Sequence, residues 1–226
     1  MKSIPTITAI LFFLLATPSF SQEAFDPAKM DPAYTNTLVK RVDKFLVDLN
    51  IRDEAQYDRV RDMVVRQYQE INWLEENTEA KIKDLKAQTE METVLRDAKT
   101  DAVKSKLEVE LFRLHTRFIA GLQTELTPEQ VDKIKDGMTY GVLERTYNGY
   151  LNLLPELTPE QRRYILGNLL TARELAMDKG SSDEKHATFG KFKGRINNYL
   201  SGLGYDMKKA EMEAKERAKV EKGKKE

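Results

Sequence analysis

The chain has 226 residues, with 37 basic and 37 acidic side chains, two histidines and no cysteine. Such a charge balance offers nothing for nucleic acid or an anionic membrane surface to recognise. The lack of cysteine excludes disulfides, thiol nucleophiles, thiolate-bound zinc and a lipid-anchored N-terminal cysteine.

The first stretch has the form of an export signal. Met1-Lys2 gives a positive start, Ile4 to Leu15 is mostly apolar, and Ser19 and Ser21 flank Phe20 in a small-x-small pattern. That pattern puts cleavage between Ser21 and Gln22. The apolar run is shorter than the ~20 residues a membrane span needs. The sequence therefore predicts a signal peptide over 1–21 and a periplasmic or secreted protein with no membrane anchor after cleavage. Gln22 to Asp31 reads as a poorly ordered leader.

All eleven glycines lie after residue 120, and no proline falls between Pro32 and Pro128. The stretch 33–120, free of both breakers and rich in Glu, Lys, Arg, Ala, Leu and Gln, predicts long helix and makes 22–125 a long-helix N-terminal region. A first helix carries Leu38, Val42, Phe45, Leu46 and Leu49 at helical spacing. Asp53 caps a second, with the stripe Tyr57, Val60, Val64, Ile71 and Leu74. The charged region Glu75 to Glu108 has to turn back, and Thr89 with Glu92 is its best capping box. The return helix ends in Leu107, Leu111, Leu114, Phe118 and Leu122. Two helices of ~35 residues make an antiparallel hairpin ~50 Å long.

The punctuated remainder predicts a compact helical unit over 126–206 and a charged tail over 207–226. Leu-Thr-Pro-Glu-Gln occurs at Leu126–Gln130 and again at Leu157–Gln161. Each copy reads as a helix start, with Thr as N-cap, Pro at the first helical position and Gln closing a capping box. The first begins a helix with the stripe Val131, Ile134, Met138 and Val142; the second carries Ile165, Leu169, Ala172 and Ala176 and ends on Lys179-Gly180 as a C-cap. Ser181 and Glu184 box a further helix with Phe189, Phe192, Ile196, Leu200 and Leu203 inward. The tail from Lys208 reads as a frayed, solvated helix or a disordered end. No period-2 strand pattern occurs. The predicted fold is all-α: an extended N-terminal helical hairpin followed by a compact multi-helix C-terminal unit.

Candidate chemistry is sparse. His115, among Leu111, Leu114 and Phe118, reads as a core or boundary histidine, and no ligand spacing suggests a metal. No glycine loop suggests a phosphate or any other cofactor. The glycine pairs Gly137/Gly141 and Gly190/Gly194 stand at i, i+4 within helices, where each costs ~1 kcal/mol relative to alanine. Close helix packing or close approach of a ligand would offset that. Beside them gather two polar-aromatic sets: Tyr140, Arg145, Tyr147, Asn148 and Tyr150, and His186, Lys193, Arg195, Asn197 and Asn198. Flat aromatic faces suit the C–H surfaces of a sugar; amides and forked cations suit its hydroxyls and carboxylates. These ten residues are the predicted ligand site. His186 with a Tyr, Lys or Arg could also transfer protons.

Two resemblances follow. The pentapeptides match the Leu-Thr-x-x-Gln motif of the periplasmic Spy and CpxP chaperones, which bind unfolded clients on a helical cradle. The run Leu126-Thr-Pro-Glu-Gln…Tyr140-Gly141-Val142…Tyr147-Asn148…Leu157-Thr-Pro-Glu-Gln resembles an uncharacterised family of exported Bacteroidetes proteins, a domain of unknown function. So does Glu184-Lys185-His186-Ala187…Phe189-Gly190-Lys191…Gly194-Arg195-Ile196-Asn197-Asn198-Tyr199-Leu200. That resemblance implies sugar binding alongside polysaccharide degradation and supplies no catalytic residue. The leading expectation is a carbohydrate-binding accessory protein in polysaccharide utilisation, with an oligo- or polysaccharide as ligand. The alternatives are a Spy-like chaperone and a lyase or hydrolase of acidic glycans.

Overall fold

The computed structural model describes residues 25–223; the predicted signal peptide lies outside them. Eight α-helices and no strand occur among the described residues, so the fold is all-α. They are α1 Pro32–Leu46, α2 Glu54–Ala87, α3 Thr93–Glu125, α4 Pro128–Met138, α5 Val142–Leu153, α6 Pro159–Met177, α7 Ser182–Gly202 and α8 Met207–Gly223.

Capping chemistry starts these helices where the sequence puts it. Thr127, Thr158 and Ser181 each form a complete reciprocal capping box with Gln130, Gln161 and Glu184. Asp53 accepts from the Gln56 amide at 2.9 Å. Leu126, before its cap, and Val131 are both buried in one cluster, as a hydrophobic staple requires.

α2 and α3 form the long hairpin, and its root is the first core. There Leu38, Val42 and Leu46 of α1 meet Val60, Val64 and Tyr68 of α2, Phe118 and Leu122 of α3, Ile134 and Met138 of α4, and Met177. A small cluster of Ile71, Leu111 and Leu114 continues up the hairpin. The second core joins α5, α6, α7 and the start of α8 around Ile165, Leu169, Phe189, Ile196 and Leu200. Tyr164 of α6 and Tyr199 of α7 stack with ring centroids 3.8 Å apart.

Local expectations fail at four places, each for a physical reason. The hairpin turns between Ala87 and Thr93, but the cap residue is Glu92 and no side chain bonds the first amides, so Thr89 and Glu92 form no box. The helix from Thr127 stops at Met138 instead of running through Val142. Tyr140 and Gly141 are both left-handed there, at φ 59 and 62, so Gly137 and Gly141 do not share a helix. Gly180 is no left-handed cap: α6 ends at Met177, and a Cβ at Gly180 would overlap the Glu75 carboxyl group, whose oxygen accepts the Gly180 amide at 3.1 Å. The end of the leader is tied down. Phe25 meets Trp73 edge-on at 6.0 Å, and Pro27–Lys29 form a 3-10 turn capped by Asp26. The tail takes the expected form of a largely exposed helix, α8; it buries Ala210 against the second core, while Arg217 donates to the Asn152 and Leu153 carbonyls at 2.9 and 3.1 Å and so caps α5.

Candidate functional site

α7 has an apolar face against α6 and two polar flanks, and the predicted site residues divide between them. His186, Gly190, Lys193 and Asn197 recur at 4-3-4 spacing and share the flank toward α5. Arg195 lies roughly 200° around the helix from Lys193, over the Phe192 ring at 4.7 Å, on the flank toward α3.

On the α5 flank the two predicted segments meet. The Tyr140 and His186 rings stack at 6.0 Å with 16° between planes. Tyr150, buried against the second core, donates its hydroxyl to the Asn197 amide oxygen at 2.7 Å. Burial pushes the Tyr150 phenol up to about 12, so it stays a donor. Gly190 and Gly194 leave α7 bare between these contacts, with nothing within 4 Å of where a Cβ would stand. Close packing therefore does not account for this glycine pair. It does account for Gly137, whose Cβ would strike the Phe45 ring.

Tyr140 is an unusual residue for its position. The Gly141 amide bonds the Asp136 carbonyl at 2.8 Å and the Tyr140 amide bonds the Gly137 carbonyl at 3.3 Å. This is a Schellman ending with tyrosine at the left-handed position that glycine normally fills. A bulky side chain there costs about 1–2 kcal/mol. Arg145 donates to the Tyr140 carbonyl at 3.2 Å and helps hold the turn. The ring it presents is 41% exposed.

The other predicted residues do not all join this face. Tyr147 packs into the second core. Asn148 is exposed roughly 200° around α5 from Tyr150. Asn198 is exposed and takes no part in the Tyr150–Asn197 hydrogen bond. The ring contact of His186 is with Tyr140, and among the described residues no carboxylate is paired with it.

The flank toward α3 joins Arg195 to a charged cluster around His115, which the sequence placed as a core or boundary histidine. A groove of about 830 Å³ runs between α3, α6 and α7. His115 lies in its wall, with Nδ1 2.8 Å from Asp178 Oδ2. The hydrogen bond to Asp178 raises the His115 pKa above its ordinary value, against the effect of burial. Burial raises Asp178 too, against the pull of His115. The 2.8 Å contact and the neighbouring charges favour the imidazolium–carboxylate form. Asp132, Asp136, Glu174 and Asp178 are met by Arg173, Lys135 and Lys185, and a protonated His115 adds a further cation beside Asp178.

Beneath both flanks, Lys185 is 2% exposed. Its ammonium donates to the Met138 carbonyl at 3.1 Å and reaches the Met177 carbonyl at 3.5 Å, with the Tyr68 ring 5.2 Å away. One cation thus closes the negative ends of α4 and α6. Burial lowers its pKa to about 8, with Asp178 opposing the drop. The signal was present in the sequence: Lys185 begins the apolar series Phe189, Phe192, Ile196 at 4-3-4 spacing.

Fold and site together define an all-helical hairpin-and-bundle protein whose α7 displays a strained aromatic on one flank and a cationic groove on the other. Among the described residues no helix is long and apolar enough to cross a membrane. The chain belongs to the family described as Protein of unknown function (DUF3826), which matches residues 35–220. No curated protein matches it.

Proposed function

We propose that the protein binds carbohydrate on the α5 flank of α7, as an accessory in polysaccharide utilisation. The observation that carries this reading is Tyr140. A left-handed tyrosine is retained where glycine would be easier, its ring is exposed, and it stacks on His186 beside a helix face cleared by Gly190 and Gly194. Strain of this kind persists at sites of function. A sugar ring laid on Tyr140 would cover C–H surface. The free amide hydrogens of Asn197 and the Lys193 ammonium would bond hydroxyls or an acidic substituent. Export directed by residues 1–21 belongs to the same proposal.

Calorimetry with neutral and acidic pectic oligosaccharides tests it, alongside Tyr140→Ala and Tyr140→Gly. Loss of the stacking ring should weaken binding about tenfold in both variants. The Gly variant should be about 1 kcal/mol more stable than the Ala variant, because only glycine relieves the left-handed strain. No heat from any oligosaccharide at millimolar concentration, or binding untouched by both substitutions, would sink the reading.

A further inference from the structure

The groove on the α3 flank is not used by the sugar-binding reading, and its charges are not all committed. Lys179, Lys191 and Arg195 line it, and none is in an ion pair among the described residues. Of its acids, Glu174 is engaged by Lys135 at 2.8 Å and Arg173 at 3.4 Å, and Asp178 by His115. Of the groove's own acids only Glu108 is left, and Lys179 also feels Glu75 from outside the groove. Two threonines, Thr171 and Thr188, complete its polar lining, and the rest is apolar: Leu111, Phe112, Leu175 and Phe192, with Phe112 71% exposed. The two groove threonines cannot serve as nucleophiles as they stand, since Thr171 and Thr188 donate to the Gly167 and Glu184 carbonyls at 2.9 and 2.8 Å. His115 Nε2 lies 3.7 Å from Glu174, beyond hydrogen-bond length, so it makes no such bond.

We propose that this groove is a second binding site, for a carboxylate on a flat, partly apolar body, with the carboxylate held by Lys191, Arg195 and the Nε2–H of His115. Lys191 and Arg195 stand at i, i+4 on one side of α7. The Phe192 ring beneath Arg195 steadies its planar fork for a bidentate contact. Phe112 and Leu175 offer the ligand body apolar cover from α3 and α6. A carboxylate entering here also offers Nε2 a hydrogen bond of ordinary length, which Glu174 at 3.7 Å does not.

The site is then linked to pH. The charged groups around His115 are Glu108 on α3, Lys135 on α4, Arg173, Glu174, Asp178 and Lys179 on α6, and Lys185, Lys191 and Arg195 on α7. With Asp178 holding Nδ1, a proton on Nε2 is present at low pH and lost as pH rises through the raised His115 pKa. Affinity for the anion should fall by up to about tenfold per pH unit above that point.

Calorimetric titration of the full chain tests this with two probes, a galacturonate disaccharide and benzoate. One presents the carboxylate on a sugar ring and the other on an aryl ring. The titrations are made in the Tyr140→Ala background, which removes the stacking ring of the α5-flank site. Binding of either probe there supports the groove if Lys191→Ala/Arg195→Ala reduces it tenfold or more and His115→Gln flattens its pH dependence. Uronate binding alone marks an acidic glycan as the ligand class; benzoate binding alone marks an aromatic acid. The proposal is overturned if neither probe binds. It is equally overturned by binding indifferent to the Lys191/Arg195 pair, or by a pH dependence unchanged in His115→Gln. Circular dichroism establishes that the variants are folded. Because the α5-flank site is silenced in this background, either site can fail without the other.

Discussion

Lys185 occupies a core position, and its ammonium is held there by carbonyls and a π face instead of a carboxylate. Its folded-state pKa of about 8 lies below the ~10.4 of an unfolded lysine. Between those values the unfolded chain binds more protons, so stability should rise with pH from about 8 to 10. The full shift corresponds to about 3 kcal/mol. Above pH 10 the buried Tyr68 phenol, whose pKa is raised by desolvation, works in the opposite sense. Urea denaturation from pH 7.5 to 10 should show the rise in the native protein and little of it in Lys185→Met. An equal slope in both would exclude Lys185 as its source.

Among the helices, glycine has opposite meanings on α4 and α7. On propensity alone, alanine at any mid-helix glycine adds up to ~1 kcal/mol. At Gly137 the new methyl would meet the Phe45 side chain, whose own Cβ lies 2.9 Å away, and the ring cannot swing clear of its stem. Gly137→Ala should therefore destabilise by about 1–3 kcal/mol, separating α4 from α1. Gly190 has open space, so Gly190→Ala should stabilise by about 0.5–1 kcal/mol while placing a methyl on the proposed sugar face. Thermal melts of the two variants read both signs; a destabilised Gly190→Ala would mean that this flank is packed. The same contrast accounts for Gly180, which admits the Glu75 carboxyl group against the backbone.

Across the whole molecule, cohesion is concentrated at the root of the hairpin and in the α5–α8 bundle. Between Ile71 and Leu111 the only buried residue is Thr100, which bonds its own helix at the Arg96 carbonyl. The distal hairpin is held by helix propensity and a thin apolar seam, Leu74 and Leu107 among it. Native-state hydrogen exchange should find amides of residues 78–104 opening at a far lower free energy than those of 114–122. Equal protection along α3 would contradict this gradient. The His115–Asp178 pair joins α3 to α6 beyond the root. Because the imidazolium form is favoured at low pH, this tie contributes most below His115's unfolded pKa and is lost as pH rises through the raised folded value.

Much of the architecture was legible because its signals are local. A capping box, a staple and an apolar stripe each involve residues within a few positions of one another, so Thr127, Thr158, Ser181 and the long breaker-free helices could be read directly. The ending after Met138 was hidden, since it rests on a tyrosine in a conformation that sequence rules reserve for glycine. The pairing of Tyr140 with His186 could be guessed as two sets of suitable residues, but not its geometry, nor the separation of Arg195 from Lys193. His115 meets Asp178 across 63 residues and Tyr150 meets Asn197 across 47. The amino-acid order alone determined the helices and the family, through interactions spanning a turn or two. Only tertiary packing decided which flank of α7 meets α5, which opens toward α3, and that Lys185 is buried between them. Those outcomes depend on how distant helices share one core.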